Sequence, residues 1–133
     1  MTTAIDSSVL IAIGNGEPGH EAWQEVLDRA AQEGVLTICP VVLAELSARY
    51  PSLEPLAGDL ERLGIRIDGF SDAACFLAGE TFRRYRAQGG PRTTMIPDFM
   101  VAAHAQKQAD RLAAMDRGYL RSYFASLCLL APP

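Results

Sequence analysis

Four acidic residues stand where a carboxylate could do chemistry, although they lie far apart in the chain. Asp6 and Asp116 each end a short apolar run, and Asp98 begins an apolar helical segment. Glu45 lies inside another apolar segment. A carboxylate at the end of a buried strand is unfavourable unless a partner compensates its charge. The residues therefore suggest that the four acids converge and hold a divalent cation.

Convergence would restrict the chemistry of such a site. Carboxylates within a few ångströms repel and raise one another's pKa, so either protons or a cation must neutralise them. Oxygen ligands without a neighbouring Cys or His favour Mg²⁺ or Mn²⁺ over zinc. Such a cation keeps positions open for water and for phosphate oxygens. Metal-assisted hydrolysis of a phosphodiester is the reaction class that follows, although each acid taken singly is also explained as a capping or turn residue.

Short apolar runs alternate with helical patterns along the whole chain. The runs predict strands near residues 3–6, 35–38, 65–67, 111–115 and 127–130. Alternation of this kind predicts an α/β fold with a parallel sheet of about five strands, covered by helices on both faces. Ligands of such sheets lie at the carboxyl ends of the strands, where Asp6 and Asp116 are expected.

Length and composition limit the class of protein. The 133 residues predict one domain, 1–133, with a substantial core. No apolar run reaches the roughly 20 residues of a membrane helix, and the first residues have no basic region or cleavage pattern, so no signal peptide is expected. The three cysteines, Cys39, Cys75 and Cys128, have no CxxC spacing. They are expected to be reduced, in a cytoplasmic protein.

The charge pattern is ambiguous about a nucleic-acid partner. The net charge of −4 argues against one, but acids neutralised by a cation would contribute little of that charge. The positive charge is almost all arginine, which suits bidentate phosphate contacts. Candidate phosphate contacts surround a Gly-Gly loop and the last acid: Arg83, Arg84, Arg86, Arg92, Arg117 and Arg121. Each of them could equally be a solvated surface charge.

Two polar residues near the acids have ordinary explanations. Ser8 could hydrogen-bond an acid or a metal-bound water, but capping of a short helix explains it equally well. His104 follows Asp98 by six positions, about 600° around a helix, so the two do not share a face. A hydrogen-bonded helix histidine is the favoured interpretation of His104.

Four segments together resemble the PIN-domain ribonucleases, in particular the VapC-type toxins of bacterial toxin–antitoxin pairs. The segments contain the four acids in the order and spacing of that family. They are residues 5–11 (IDSSVLI), 41–46 (VVLAEL), 96–105 (IPDFMVAAHA) and 112–119 (LAAMDRGY). The chain departs from the family at Ala114, where a hydroxyl residue is often found two places before the last acid.

The resemblance implies a three-layer α/β/α PIN-like fold and a metal-dependent endoribonuclease. Asp6 and Asp98 would be the principal ligands of one or two Mg²⁺ or Mn²⁺ ions, Glu45 would hold or orient the metal or its water, and Asp116 would complete the cluster. The implied substrate is RNA, commonly tRNA or rRNA. The implied partners are a VapB-like antitoxin and a second copy of the chain.

Two other functions remain open at this point. One is a small-molecule phosphoester hydrolase or a receiver-like phosphate-handling domain on a similar sheet. Position 8, however, is Ser where dehalogenase-type phosphatases have Asp, and Lys107 lies inside a helix and not at a strand end. The other is a catalytically idle module that only binds a partner.

Overall fold

A five-stranded parallel sheet forms the centre of the molecule. The computed structural model describes residues 1–93, 95–115 and 118–133, except that for Tyr119 it describes the backbone alone. Within these ranges the strands are β1 (Thr2–Ile5), β2 (Val35–Ile38), β3 (Ile65–Ile67), β4 (Arg111–Ala113) and β5 (Leu129–Leu130). Their order across the sheet is β3-β2-β1-β4-β5. All four pairings are parallel, which confirms the predicted sheet.

Helices connect the strands and cover the sheet. They are α1 (Ser7–Gly14), α2 (His20–Glu33), α3 (Pro40–Ser47), α4 (Leu53–Arg62), α5 (Asp72–Ala87), α6 (Pro97–Gln108) and α7 (Tyr119–Tyr123). The buried side of α2 consists of Trp23, Val26, Leu27 and Ala30. These residues follow the spacing of an amphipathic helix whose apolar face lies on the core. None of the helices in the described ranges has the length and apolarity that a membrane crossing requires.

The central position belongs to β1, which pairs with β2 on one side and with β4 on the other. Thr3 is in register with Leu36 and with Arg111. Three of the four β1 residues are buried, as expected for a strand covered on both faces. The chain therefore leaves the middle of the sheet at Asp6, whose backbone N–H donates to Ala113 O at 2.9 Å.

Two local details differ from the sequence predictions. The first helix is capped by Asp6 and not by Ser8, because the Asp6 backbone is extended and its side chain accepts from Ser8 N. The fourth and fifth strands are shorter than predicted. β4 ends at Ala113, and β5 contains only Leu129 and Leu130. Apolar residues continue beyond both strands, but there they pack on the core without entering the ladder.

Candidate functional site

Asp6 is a buried carboxylate at the carboxyl end of the central strand, with 5% of the residue exposed. Its side chain accepts a hydrogen bond from Ser8 N at 3.2 Å and another from the Ser8 hydroxyl. Of the two interpretations of Ser8 left open by the sequence, the hydrogen bond to an acid is the one present, since Asp6 caps the helix. These two hydrogen bonds hold the Asp6 carboxylate at the amino-terminal end of α1, where Asp6 is the capping residue.

Glu45 is connected to the same place through Ser7. The Ser7 hydroxyl donates to Glu45 Oε1 at 2.9 Å, and Ser7 itself is buried. Because Ser7 directly follows Asp6 in the chain, this bond holds α3 next to the end of β1. The Glu45 residue is exposed, so its second oxygen can be hydrated.

Asp98 is the second residue of α6 and reaches the same edge of the sheet. Asp6 and Asp98 line one cavity together with Val101, Leu112, Met115 and Leu120. The volume of this cavity is about 10 Å³, which is roughly the space of one water molecule. Two of the predicted acids therefore line one small cavity, and Glu45 does not line it.

Part of the predicted site lies outside the described residues, namely Asp116 and Arg117. Among the described residues, no group of three or more His, Cys, Asp or Glu side chains is close enough to hold a metal ion. The geometry therefore places two acids, Asp6 and Asp98, at the cavity, and Glu45 bonds to Ser7, the residue that follows Asp6.

Cys39 lies near Asp6 but does not offer a thiolate ligand. Burial raises the pKa of the Cys39 thiol, hydrogen bonds from the backbone at Val42 and Val41 lower it in part, and the Asp6 carboxylate adds a smaller increase. The thiol is therefore neutral at ordinary pH. The donors at the cavity are carboxylate oxygens, and this set fits Mg²⁺ or Mn²⁺ better than zinc.

The aromatic residue after Asp98 fixes the start of α6. Phe99 is fully buried, and its ring centroid lies 5.6 Å from that of Tyr85 and 5.7 Å from those of Tyr123 and Phe124. The contacts with Tyr85 and Phe124 are edge-to-face, and such contacts stabilise by about 0.5–1.5 kcal/mol beyond burial. The cluster joins α5 and the end of α7 to the segment that carries Asp98.

The predicted phosphate-binding arginines differ in how they are used. Arg84 donates to Tyr123 O at 2.7 Å, and its guanidinium lies 5.7 Å from the centre of the Tyr123 ring. Arg86 donates to Gly90 O and to Arg92 O, and so closes the loop after α5. Both therefore have structural contacts. Arg83 and Arg92 are exposed, with side chains that remain available to a phosphate chain.

Comparison with known proteins identifies the family of the chain. Residues 3–124 match the PIN domain family. The chain belongs to the PIN domain family. This match confirms the resemblance predicted from the sequence, together with its three-layer α/β/α fold, and it agrees with the prediction of a nuclease. A separate comparison with curated proteins gave no match.

Solved structures share the fold of this PIN domain. VapBC2 from Rickettsia felis, bound to a DNA fragment from its promoter, has 20% identity and a TM-score of 0.70, over 97% of both chains. VapC20 of Mycobacterium tuberculosis, a toxin that cleaves the sarcin–ricin loop, has 18% identity and a TM-score of 0.62, over 98% of this chain and 99% of that one. FitAcB from Neisseria gonorrhoeae has 22% identity and a TM-score of 0.64, over 98% and 97%. These likenesses establish a common fold.

A second concave surface of this PIN domain lies away from the acids. It is a groove of about 470 Å³ between α1, α2 and α4, over the β2–β3 side of the sheet. Most of its lining is apolar, including Leu10, Ile13, Leu27 and Leu60. Polar pairs stand at its rim, where Arg49 donates to Asn15 and both Tyr50 and Arg62 donate to Asp59. We call this surface the α2–α4 groove.

Sequence reasoning missed two features of this PIN domain. Ser7, and not only Ser8, contacts an acid, and only the direction of α1 relative to α3 reveals which hydroxyl reaches Glu45. Asp68 was not singled out, although it follows β3 as Asp6 follows β1, and that shared position was the available signal. His104 is a buried, hydrogen-bonded helix histidine, as predicted, and Asp68 is its partner.

Proposed function

We propose that this PIN domain is a metal-dependent endoribonuclease that hydrolyses RNA phosphodiester bonds with Mg²⁺ or Mn²⁺. The observation that carries the proposal is the cavity shared by Asp6 and Asp98 at the carboxyl edge of a PIN-family sheet. In open α/β sheets this edge is where ligands bind. The oxygen donors at the cavity suit a hard divalent cation.

The proposed roles follow from the setting of each acid. Asp6 and Asp98 are the principal ligands, because both line the cavity. Glu45, held by Ser7, orients the metal or its water, and Asp116 completes the set. A bound divalent cation would supply charge stabilisation at the phosphate and would lower the pKa of a coordinated water. The Ser8 hydroxyl fixes the orientation of the Asp6 carboxylate, so that its remaining lone pairs keep a defined direction.

RNA is the proposed substrate class. The similarity of fold to a sarcin–ricin loop-cleaving toxin supports RNA. The proposed location is the cytoplasm, and the proposed targets are tRNA or rRNA. The exposed Arg83 and Arg92 are the first candidates for phosphate contacts, since Arg84 and Arg86 already bond to backbone carbonyls. Arg117, outside the described residues, is a further candidate from its position beside Asp116.

A toxin role with a VapB-like antitoxin is the proposed biological context. Structures of VapBC assemblies have the same fold, and the α2–α4 groove offers a partner a large apolar surface. Apolar concave surfaces of this size commonly mark interaction sites. We further propose a homodimer, which the resemblance to VapC-type toxins implies.

Metal removal tests the proposal directly. Purified protein should cleave a structured RNA in Mg²⁺, lose cleavage in excess EDTA and recover it when Mg²⁺ or Mn²⁺ is restored. Mapping the RNA ends would identify the cleaved bond. Cleavage that persists undiminished in EDTA would contradict the metal-dependent mechanism. Absence of cleavage on all RNAs, together with tight binding of a partner, would favour the idle module instead.

A further inference from the structure

A buried histidine connects the helix of Asp98 to the end of the edge strand β3. The His104 side chain is 1% exposed, and its Nε2 lies 2.9 Å from Asp68 Oδ2. A carboxylate can only accept, so the Nε2–H of His104 donates in this bond. The Phe70 ring meets the imidazole edge-on at a centroid distance of 6.1 Å and helps to cover it.

Gln108 extends this connection along the same side of α6. It follows His104 by one helical turn, and its Nε2 donates to Asp68 Oδ2 at 3.1 Å and to Gly69 O at 2.7 Å. Its Oε1 accepts from Ser71 N at 3.0 Å, and Ser71 in turn caps α5. The carboxyl-terminal half of α6 is therefore fastened to the 68–71 connection by side chains and not by apolar packing alone.

Asp68 also contacts the strand that leads to Glu45. Its backbone N–H donates to Ile38 O at 2.8 Å, which extends the β2–β3 pairing by one residue. Ile38 ends β2, and α3 begins two residues later. Through its backbone and its side chain, Asp68 thus joins the entry of the Glu45 helix to the Asp98 helix.

We propose that His104 is a positioning residue, which with Asp68 sets the place of the Asp98 helix relative to the Glu45 helix. The inference rests on the proposed function. His104 is six residues from Asp98, about 9 Å along the helix axis and on another face, so it acts through the helix and not as a ligand. A rigid α6 keeps Asp98 at the cavity that it shares with Asp6.

Binding of Mn²⁺ to the folded protein, measured by isothermal titration calorimetry, tests this role without an activity assay. His104→Leu removes the donor and should weaken Mn²⁺ binding about tenfold, the low end for residues that orient metal ligands. His104→Gln can still donate to Asp68 and should remain within about threefold of the wild type. Asp68→Ala, at a half-exposed residue, removes the acceptor of the same bond and should weaken binding like His104→Leu. The losses of Mn²⁺ affinity caused by His104→Leu and by Asp68→Ala should not add in the double variant.

Val26→Ala and His20→Gln are the matched controls. The first removes buried volume from α2, which carries none of the four acids, and should lower the melting temperature while Mn²⁺ affinity stays unchanged. The second replaces a surface histidine and should change neither quantity. If Val26→Ala loses as much Mn²⁺ affinity as His104→Leu, the effect of His104 is one of general stability, and the inference is overturned.

The outcome for the wild type separates the inference from the proposed function. Mn²⁺ binding and RNA cleavage by the wild type, with unchanged affinity in His104→Leu and Asp68→Ala, would overturn the inference and leave the proposed function intact. Failure of the wild type both to bind Mn²⁺ and to cleave RNA would overturn the proposed function, and the inference with it.

Discussion

The carboxyl edge of the sheet and the α2–α4 groove are both concave, but they differ in size, polarity and construction. At the edge, Asp6 and Asp98 line a cavity of about 10 Å³. The groove measures about 470 Å³ and is lined mostly by aliphatic side chains. A reaction at a few atoms needs a small set of fixed polar groups, whereas recognition of a chain needs apolar area. The contrast is consistent with the proposal of chemistry at the edge and partner binding in the groove.

The two regions also differ in what holds them. Side-chain hydrogen bonds fix the edge. Ser7 of α1 donates to Glu45 of α3, and Ser8 donates to Asp6, the residue that caps α1. The groove depends on the apolar faces of helices, which tolerate side-chain exchange as long as volume is kept. We therefore expect substitutions at the edge to affect activity more than stability, and substitutions in the groove to affect partner binding alone.

The largest expected effect is that of Asp6→Asn. Cleavage of a fluorescent RNA should fall by about 100-fold or more, because the charge that holds the cation is lost. The free energy of urea unfolding should change little, since Asn also caps helices well. Asp28→Asn, at the exposed rim of the groove, is the control and should cleave at the wild-type rate. If Asp6→Asn cleaves at the wild-type rate, the carboxyl edge of the sheet does not take part in the reaction.

In the α2–α4 groove, the substitution that corresponds to Asp6→Asn at the edge is Ile13→Glu. Ile13 is half-buried and lines the groove, so a carboxylate there would be desolvated by any partner that covers it. The affinity for the partner that co-purifies with the wild-type chain should fall at least tenfold, while RNA cleavage stays unchanged. Surface plasmon resonance and the RNA assay measure the two quantities. A loss of cleavage with retained partner binding would mean that the groove, and not only the edge, is needed for cleavage.

Ser7→Ala should have a smaller effect at the edge. It removes the hydrogen bond that holds Glu45, which should lower stability by about 1 kcal/mol and the cleavage rate by roughly threefold. The control is Ser47→Ala, which removes an exposed serine hydroxyl that bonds to Leu43 O on the same helix. If both variants cleave at the wild-type rate, Glu45 does not depend on Ser7 for its position.

The smallest effect concerns Cys39, which lies near Asp6. Because burial raises the pKa of its thiol, Cys39 should react slowly with a disulfide reagent at pH 8, while the exposed Cys75 and Cys128 react fast. The raised pKa also means that this thiol stabilises the fold below the pKa of an unfolded thiol, about 8.5. That contribution is lost as the pH rises towards the folded value. Cys39→Ala should therefore unfold with a weaker dependence on alkaline pH.

Local patterns in the sequence were sufficient to predict most of the architecture. The spacing of Trp23, Val26, Leu27 and Ala30 predicts the buried side of α2, and the alternation of strands and helices predicts the parallel sheet. Such patterns are local, because the spacing of apolar residues within one helix or strand decides which of its faces is buried. The strand ends were less predictable, since apolar residues beyond β4 and β5 pack on the core without pairing.

The sequence by itself determined which residues could do chemistry, and the PIN family to which they belong. Only the tertiary structure decided that Asp6 and Asp98 share a cavity, that Ser7 holds Glu45, and that Asp68 joins His104 to the end of β2. The reason is physical. Periodicity is a property of neighbours in the chain, whereas a hydrogen bond between residues 38 or 36 positions apart depends on how whole elements pack.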